Sequence, residues 1–478
     1  MQQLAVLLRD SRALAALAVP LALTQLAQVA LTTTDTVMMG LLGTEALAAG
    51  GLALVIFNQL RTMGVGLVTS VGNQVAAAGA RAEQSGQADE GAAAESTDAG
   101  TAEIRGLVRA ALAVATLAGF AGAVLMVLIG QAATLLGQAA AVADRTQGML
   151  AALAPGLLPC LWFQAIRQFT VGMRRPQALL QITLASVAVN AALNWGFIHG
   201  SFGLPRLGLT GIGIATSSVY LLSFLALYAS ARRDAQLAPL LSLRFWRADA
   251  HTVRRLLRLG APIAATYGSE AGFFSVTALL AGGFGAAALA AHTAVNQLIY
   301  IVFQIAVGLS HAASINVSRE LALGNHTAAR RIKNTALACG AAVTALVGIP
   351  YLAAPHLVLR PYFDPNVQAD QQGLHIAGGL LVIVAVLQVF DCAQNIGVGL
   401  LRGLDDTKGG FRITLIGYWA VGLPVGWLFA YPLGAETRGL WLGLLCGLAT
   451  TAVLLLRRYT IALNAKTVSA TAVAAAAA

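Results

Sequence analysis

Charge is scarce in this chain. Only 10% of its 478 residues are charged, against roughly 25% in soluble domains. Water is therefore not its main solvent. Aromatic residues are few, at 6%, while Gly is abundant, at 50 residues. That balance excludes an aromatic-girdled outer-membrane barrel and favours helices whose backbones approach closely. There are four cysteines, Cys160, Cys339, Cys392 and Cys446, all inside apolar runs. No Cys-x-x-Cys or Cys/His ligand spacing joins them, which argues against disulfides and zinc. A Gly-x-x-x-x-Gly-Lys-Ser/Thr nucleotide loop is missing, as are His-Glu-x-x-His and any nucleophile–base motif. The chain reads as neither an ATP-driven pump of that type nor an enzyme, and no resident cofactor is expected.

What is present is hydrophobic length. The sequence is 58% hydrophobic, with a mean hydropathy of +0.74. Its apolar runs reach the roughly 20 residues that cross a bilayer as a helix. Twelve can be drawn, with cores near 13–38, 50–78, 106–129, 149–171, 179–200, 210–231, 260–282, 288–317, 334–353, 375–401, 412–432 and 438–457. The first has no cleavage site after a short core, so it reads as a retained span. The net charge of +10 does not point to nucleic acid, because the basic residues lie between spans. With both termini placed in the cytoplasm, 24 Lys and Arg fall inside and only Arg145, Arg206, Arg360 and Arg438 outside. This bias predicts an even number of spans in a cytoplasmic membrane, the bacterial inner membrane, with both ends inside.

The second half repeats the first at an offset of 242 positions. Pro20 falls on Pro262, Gly43 on Gly285, and Val65-Gly66-Leu67 on Val307-Gly308-Leu309. The expected fold is thus all-α: twelve transmembrane helices in two six-helix pseudo-symmetric bundles around a central cavity. The expected lobes are 1–231 and 259–460. Residues 232–258 form a basic cytoplasmic linker, read as an interfacial amphipathic helix around Phe245 and Trp246. The acidic stretch 80–103 is expected to be a flexible loop, and 461–478 a disordered tail.

Acids inside apolar spans carry the functional signal, because a carboxylate in hydrocarbon costs roughly 3 kcal/mol on insertion scales. Asp35 follows Thr32, Thr33 and Thr34, with Gln28 two turns back; hydroxyls and an amide there could solvate the acid or complete a shell of hard oxygens around a cation. The bland alternative puts Asp35 at an outer mouth, wetted by water. Glu270 shares a helix face with Tyr267 and Phe274, an anionic point beside rings that would attract organic cations. Asp391 has Gln388 three residues before it and Asn395 four after. For Glu270 and Asp391 the alternative is structural pairing or interhelical glue. Were the two acids close together, a bound cation or proton would relieve their repulsion. Asn190 and Asn194, at i and i+4, serve equally well as oxygen ligands or glue. Arg61 and Arg167 are costly inside spans and must snorkel or pair. His292 and His311 read as packed or capping residues rather than pH sensors.

Several stretches together resemble the NorM-like branch of the multidrug and toxic compound extrusion (MATE) family. They are Pro20 to Gln25 with Asp35 to Met38, Gly260-Ala-Pro262 with Glu270, Ala290-Ala-His292, and Asn190 to Asn194 with Gly208 to Gly211. Gln388 to Asp391 leading to Leu401-Arg402-Gly403, and Tyr418-Trp419 to Pro424, complete the set. The resemblance implies a cation-coupled antiporter that exports lipophilic organic cations by alternating access; separately, a monomer is expected. It implies coupling by Na⁺ or H⁺ at Glu270 and Asp391, with Asp35 acting in the N-terminal lobe. If the ion is sodium, the first two acids are its metal ligands. Tyr267, Phe274, Gln388, Asn395, Asn190, Asn194 and Gln28 are the expected cavity residues. The single acid at Asp391, followed by Cys392, and the acidic insertion at 84–102 depart from the family pattern. A lipid-linked-precursor flippase of the same architecture, or a passive channel, is the alternative reading.

Overall fold

The computed structural model describes residues 2–88, 93–132 and 140–477. Long helices dominate it: α1 (Gln2–Gly40), α2 (Thr44–Ala88), α3 (Ala93–Gln131), α4 (Ala140–Gly172), α5 (Gln177–His199) and α6 (Gly208–Arg233). After the linker come α7 (Ala250–Gly282), α8 (Ala286–Ala322), α9 (His326–Ala353), the short α10 (Pro355–Leu359) and α11 (Gln368–Gly403). The last elements are α12 (Thr407–Leu415), a π-helical stretch over Ile416–Gly422, α13 (Leu423–Ala430) and α14 (Glu436–Ala477). Among the described residues, eleven helices are long and apolar enough to span a bilayer, with α12 to α13 counting as one. The twelfth expected span, α7, has the length, at 33 residues, but is the exception. It begins on a basic turn and carries Tyr267, Ser269 and Glu270 mid-helix, so its polar side chains need protein partners, not lipid.

The internal repeat is written in the backbone. Gly40 ends α1 and Gly282 ends α7; Thr44 begins α2 and Ala286 begins α8. Gly43 and Gly285 join each pair with left-handed φ of +97° and +102°, a conformation that disfavours any Cβ. All three pairs are 242 positions apart.

Two compact units divide the chain inside helices, not in the linker. One comprises Leu23–Tyr267; the other joins Met1–Ala22 to Gly268–Ala478. Close backbone contacts explain the division. In the first unit, Gly66 lies where a Cβ would stand 2.6 Å from the Ala264 Cα. In the second, a Cβ on Gly308 would stand 2.7 Å from the Ala22 Cα. The two contacts are equivalents under the repeat: α2 meets the start of α7, and α8 meets the start of α1. The second unit also packs glycine against glycine, since a Cβ on Gly443 would collide with the Gly426 Cα, holding α14 against α13.

Three expectations are corrected. The linker is not an amphipathic helix. It makes two single 3₁₀ turns, Ala238–Leu240 and Phe245–Arg247. Arg105 donates twice to the Pro239 carbonyl (3.1 and 2.6 Å), Arg109 donates to Ser242 (3.1 Å) and Arg175 pairs with Asp234 (2.6 Å). These ties from distant arginines hold the segment without a helix. The acidic stretch is helical on both sides, α2 running to Ala88 and α3 starting at Ala93, with Arg81 paired to Glu103 at 2.7 Å; residues 89–92 lie outside the described ones. The tail continues α14 to Ala477, as its Ala-rich composition favours.

Candidate functional site

Each unit holds its own acidic site. In the unit spanning Leu23–Tyr267, Asp35 on α1 is buried, at 2% exposure. Its Oδ1 accepts from Asn190 Nδ2 (2.6 Å) and Asn194 Nδ2 (2.8 Å) of α5. Its Oδ2 faces the Thr216 hydroxyl of α6 at 3.0 Å. The i, i+4 spacing of the two asparagines turns both amides to one face, where they meet the same oxygen. The carboxylate is therefore saturated by side-chain donors from two neighbouring helices. Charge-assisted bonds of this kind offset the desolvation that bare burial would impose.

Thr216 gives this site a second arrangement. Its single hydroxyl proton is within reach of both Asp35 Oδ2 and the Ile212 carbonyl, each at 3.0 Å. With Asp35 ionised, the hydroxyl donates to the acid. With Asp35 protonated at Oδ2, the acid donates to Thr216 and Thr216 donates to Ile212. Both protonation states keep every hydrogen in use.

The threonines beside Asp35 do something else. Thr32, Thr33 and Thr34 donate to the carbonyls of Gln28, Val29 and Ala30 within their own helix. They do not solvate the acid, and water at an outer mouth does not either. Gln28 is half-buried and takes part here through its backbone carbonyl.

The other unit holds Glu270 on α7 and Asp391 on α11, both buried. They are near enough for their charges to interact. Donors are few. Glu270 Oε1 accepts from the Tyr418 hydroxyl at 3.1 Å. Asp391 Oδ1 is reached by Asn395 Nδ2 at 3.2 Å, and the same amide also approaches the Asp391 carbonyl (3.0 Å) and Gln394 Oε1 (3.4 Å). Two carboxylates thus offer four oxygens to one hydroxyl and one divided amide. Among the described residues no cluster of three or more His, Cys, Asp or Glu exists that could hold a metal by itself.

Tyr418 is placed by an irregularity. It sits in the π-helical turns of 416–422, which rotate it out of α-helical register; π turns recur at functional sites for this reason. Its ring stacks on Phe273 with centroids 4.9 Å apart and planes within 5°. Trp419 Nε1 donates to Ser269 Oγ at 2.8 Å, pinning the same turn to α7 beside Glu270.

The remaining candidates divide. Asn190 and Asn194 join Asp35, and Asn395 joins Asp391, as the polar spacing suggests. Gln388 is fully buried and turns to α9, donating to the Thr344 carbonyl at 2.9 Å. Phe274 packs against the apolar core around Phe273 and Leu387. Tyr267 belongs to the first unit, where it lies near Arg167. Thr216 and Tyr418 escaped site assignment from sequence. Thr216 is one hydroxyl among many on α6. Tyr418 carries a signal only as a buried polar ring in the run Gly417 to Gly422, where glycines let helices close up.

Comparisons with known proteins agree with this architecture. The MatE family model matches residues 99–196 and 262–428. A probable multidrug resistance protein NorM of Mesorhizobium japonicum is 36% identical over 94% of this chain and 94% of its own length. That of Pseudomonas aeruginosa is 37% identical over 93% of this chain and 88% of its own. The chain is a NorM-like member of the MatE family. The fold agrees as well. The Vibrio cholerae MATE transporter VcmN in its bent form superposes with a TM-score of 0.82, covering 97% of this chain and 99% of VcmN at 17% identity. The eukaryotic MATE transporter AtDTX14 does so at 0.78, over 96% and 99%, at 21% identity. This MatE protein is a multi-pass membrane transporter and not an enzyme. The expected family and all-α membrane fold are both met.

Proposed function

We propose that this MatE protein is a multidrug efflux antiporter. It exports lipophilic organic cations by alternating access, driven by inward flow of Na⁺ or H⁺. The observation that carries the reading is the donor-poor pair Glu270 and Asp391, two buried carboxylates near enough for their charges to interact, the first reached by one hydroxyl and the second by one divided amide. A coupling cation supplies the missing positive charge, whether as sodium among hard oxygens or as a proton between them. Coupling follows if the cation binds one conformation of the transporter more tightly than the other. Asp35, already satisfied, serves as the acid of the other unit, with Thr216 able to follow its protonation. Multidrug resistance in the names of relatives supports export of several drugs. The clustering of Lys and Arg between spans supports the bacterial inner membrane with both termini cytoplasmic. The protein is read as acting as a monomer.

Dye efflux from proteoliposomes tests this, with a sodium gradient and a pH gradient imposed separately. Efflux should follow one of the two gradients in the wild type and fall to background in E270Q and D391N. Unchanged efflux in both variants would refute the assignment.

A further inference from the structure

The linker between α6 and α7 has a feature that a mere connection does not need. It buries Leu237 and Leu240 but turns Trp246, its largest side chain, outward at 69% exposure. The 3₁₀ turn Phe245–Arg247 produces this, because three residues per turn send its three side chains in different directions. Phe245 is half-buried and meets the Trp246 ring edge-on, with centroids 5.3 Å apart and planes at 77°. Arg244 and Arg247 flank the two rings, and both are exposed.

The charge around this turn is one-sided. Residues 232–258 hold seven arginines and two aspartates. Both acids are engaged elsewhere: Asp234 pairs with Arg175, and Asp249 accepts from the Thr252 amide (2.8 Å) and hydroxyl (2.9 Å) at the start of α7. Among the described residues, the side chains of Arg244 and Arg247 have no hydrogen-bond or ion-pair partner. The depth is that of a membrane surface. The turn packs on α3, where Arg109 donates to Ser242 and is the last charged residue before an uncharged run to Gly130. Leu117 and Phe120 of that run are exposed, so α3 presents a face to lipid. Residues 242–247 therefore lie where the hydrocarbon beside α3 ends. An indole at that level occupies the boundary between acyl tails and headgroups. A guanidinium there meets the phosphate layer and grips a phosphate through paired N–H···O bonds. A net positive segment around it favours headgroups of net negative charge.

We propose that Arg244, Trp246 and Arg247 form a binding site for an anionic phospholipid of the leaflet that the linker faces. The two guanidinium groups hold its phosphate, and the indole lies among its glycerol and upper acyl carbons. Lipid capture here is independent of the transported substrate and of the coupling ion.

Native mass spectrometry of the purified full-length protein in detergent tests this, with phosphatidylglycerol and zwitterionic phosphatidylcholine titrated separately. The wild type should bind its first phosphatidylglycerol about tenfold more tightly than its first phosphatidylcholine, as two arginines near a headgroup imply. That preference should fall about fivefold or more in R244Q/R247Q. It should change less than about twofold in R412Q/R457Q, which removes two exposed arginines of the other unit. W246A should weaken phosphatidylglycerol about threefold, through loss of apolar contact. Inorganic phosphate in excess should leave the lipid bound. A wild type without preference overturns the proposal, and so does an affinity unchanged in R244Q/R247Q or in W246A. An equal loss in R412Q/R457Q overturns it in favour of diffuse surface charge. Release of the lipid by inorganic phosphate overturns it in favour of a site for the free anion.

Discussion

Asp35 and the Glu270–Asp391 pair are both buried acids in membrane helices, but their surroundings are opposite. Asp35 receives three side-chain donors at 2.6 to 3.0 Å from two neighbouring helices. The pair receives one tyrosine hydroxyl and one amide that is divided among three acceptors. A saturated carboxylate needs nothing more from solution. A pair that is short of donors and close enough to repel does. The contrast teaches that, on the function proposed here, the demand for a coupling cation is concentrated in one unit, although the chain is a repeat. The repeat register makes the point at single positions. Glu270 stands where the first half has Gln28, and Asp35 stands where the second half has Thr277. Thr277 only returns its hydroxyl to the Phe273 carbonyl of its own helix. The same helix framework has therefore been given different charges in each copy.

Substitutions can break that contrast, and the largest effect is expected at the starved pair. E270Q and D391N should abolish gradient-driven efflux while leaving thermal stability equal to or above that of the wild type, because each removes a repelling charge. A fall in the unfolding midpoint without loss of coupling would reverse the roles assigned here.

Next comes Asp35, where the account separates two substitutions. D35A leaves the amides of Asn190 and Asn194 and the Thr216 hydroxyl without their acceptor, a cost of about 1 to 3 kcal/mol for buried donors. D35N supplies a carbonyl to the asparagines and an N–H to Thr216, as the protonated acid would. Its cost should therefore stay below about 1 kcal/mol. Equal destabilisation by the two variants, measured by thermal unfolding in the same detergent, would show that the donor network does not hold the site.

Tyr418 sharpens the comparison at smaller scale. Y418F keeps the ring on Phe273 and removes only the bond to Glu270. Loss of one hydrogen bond of about 1 kcal/mol corresponds to a roughly five-fold weaker dependence of efflux on the coupling ion. An ion dependence identical to wild type would remove Tyr418 from the site.

Sequence reasoning reached the acids and the repeat because both are expensive to keep in hydrocarbon. A charge in an apolar run and a proline or glycine at a fixed offset stand out without any structure. Eleven of the twelve expected spans, Asn190 with Asn194, and Asn395 beside Asp391 were legible too. Partners that come from distant helices were not. Nothing in the spacing of Thr216 or Tyr418 links them to Asp35 or Glu270, 181 and 148 positions away. The π turns that aim Tyr418 depend on packing between Gly417, Gly422 and Gly447, where α14 closes to backbone contact. Helical spacing put Tyr267 and Phe274 on the face of Glu270, but tertiary packing gives Phe274 to the core and Tyr267 to the neighbourhood of Arg167. The linker misled because arginines and aromatics suit an interfacial helix. It is instead tied down by Arg105 on its backbone and by Arg109 and Arg175 on its side chains, all far away in sequence.

The most direct test of the central claim is thermal unfolding of the purified protein as sodium and pH are varied separately, since a ligand that binds the folded state raises its stability. The account predicts that the unfolding midpoint responds to one of the two ions in the wild type and in D35N, and that the response disappears in E270Q and in D391N. A response that survives both of those variants and vanishes in D35N would contradict it.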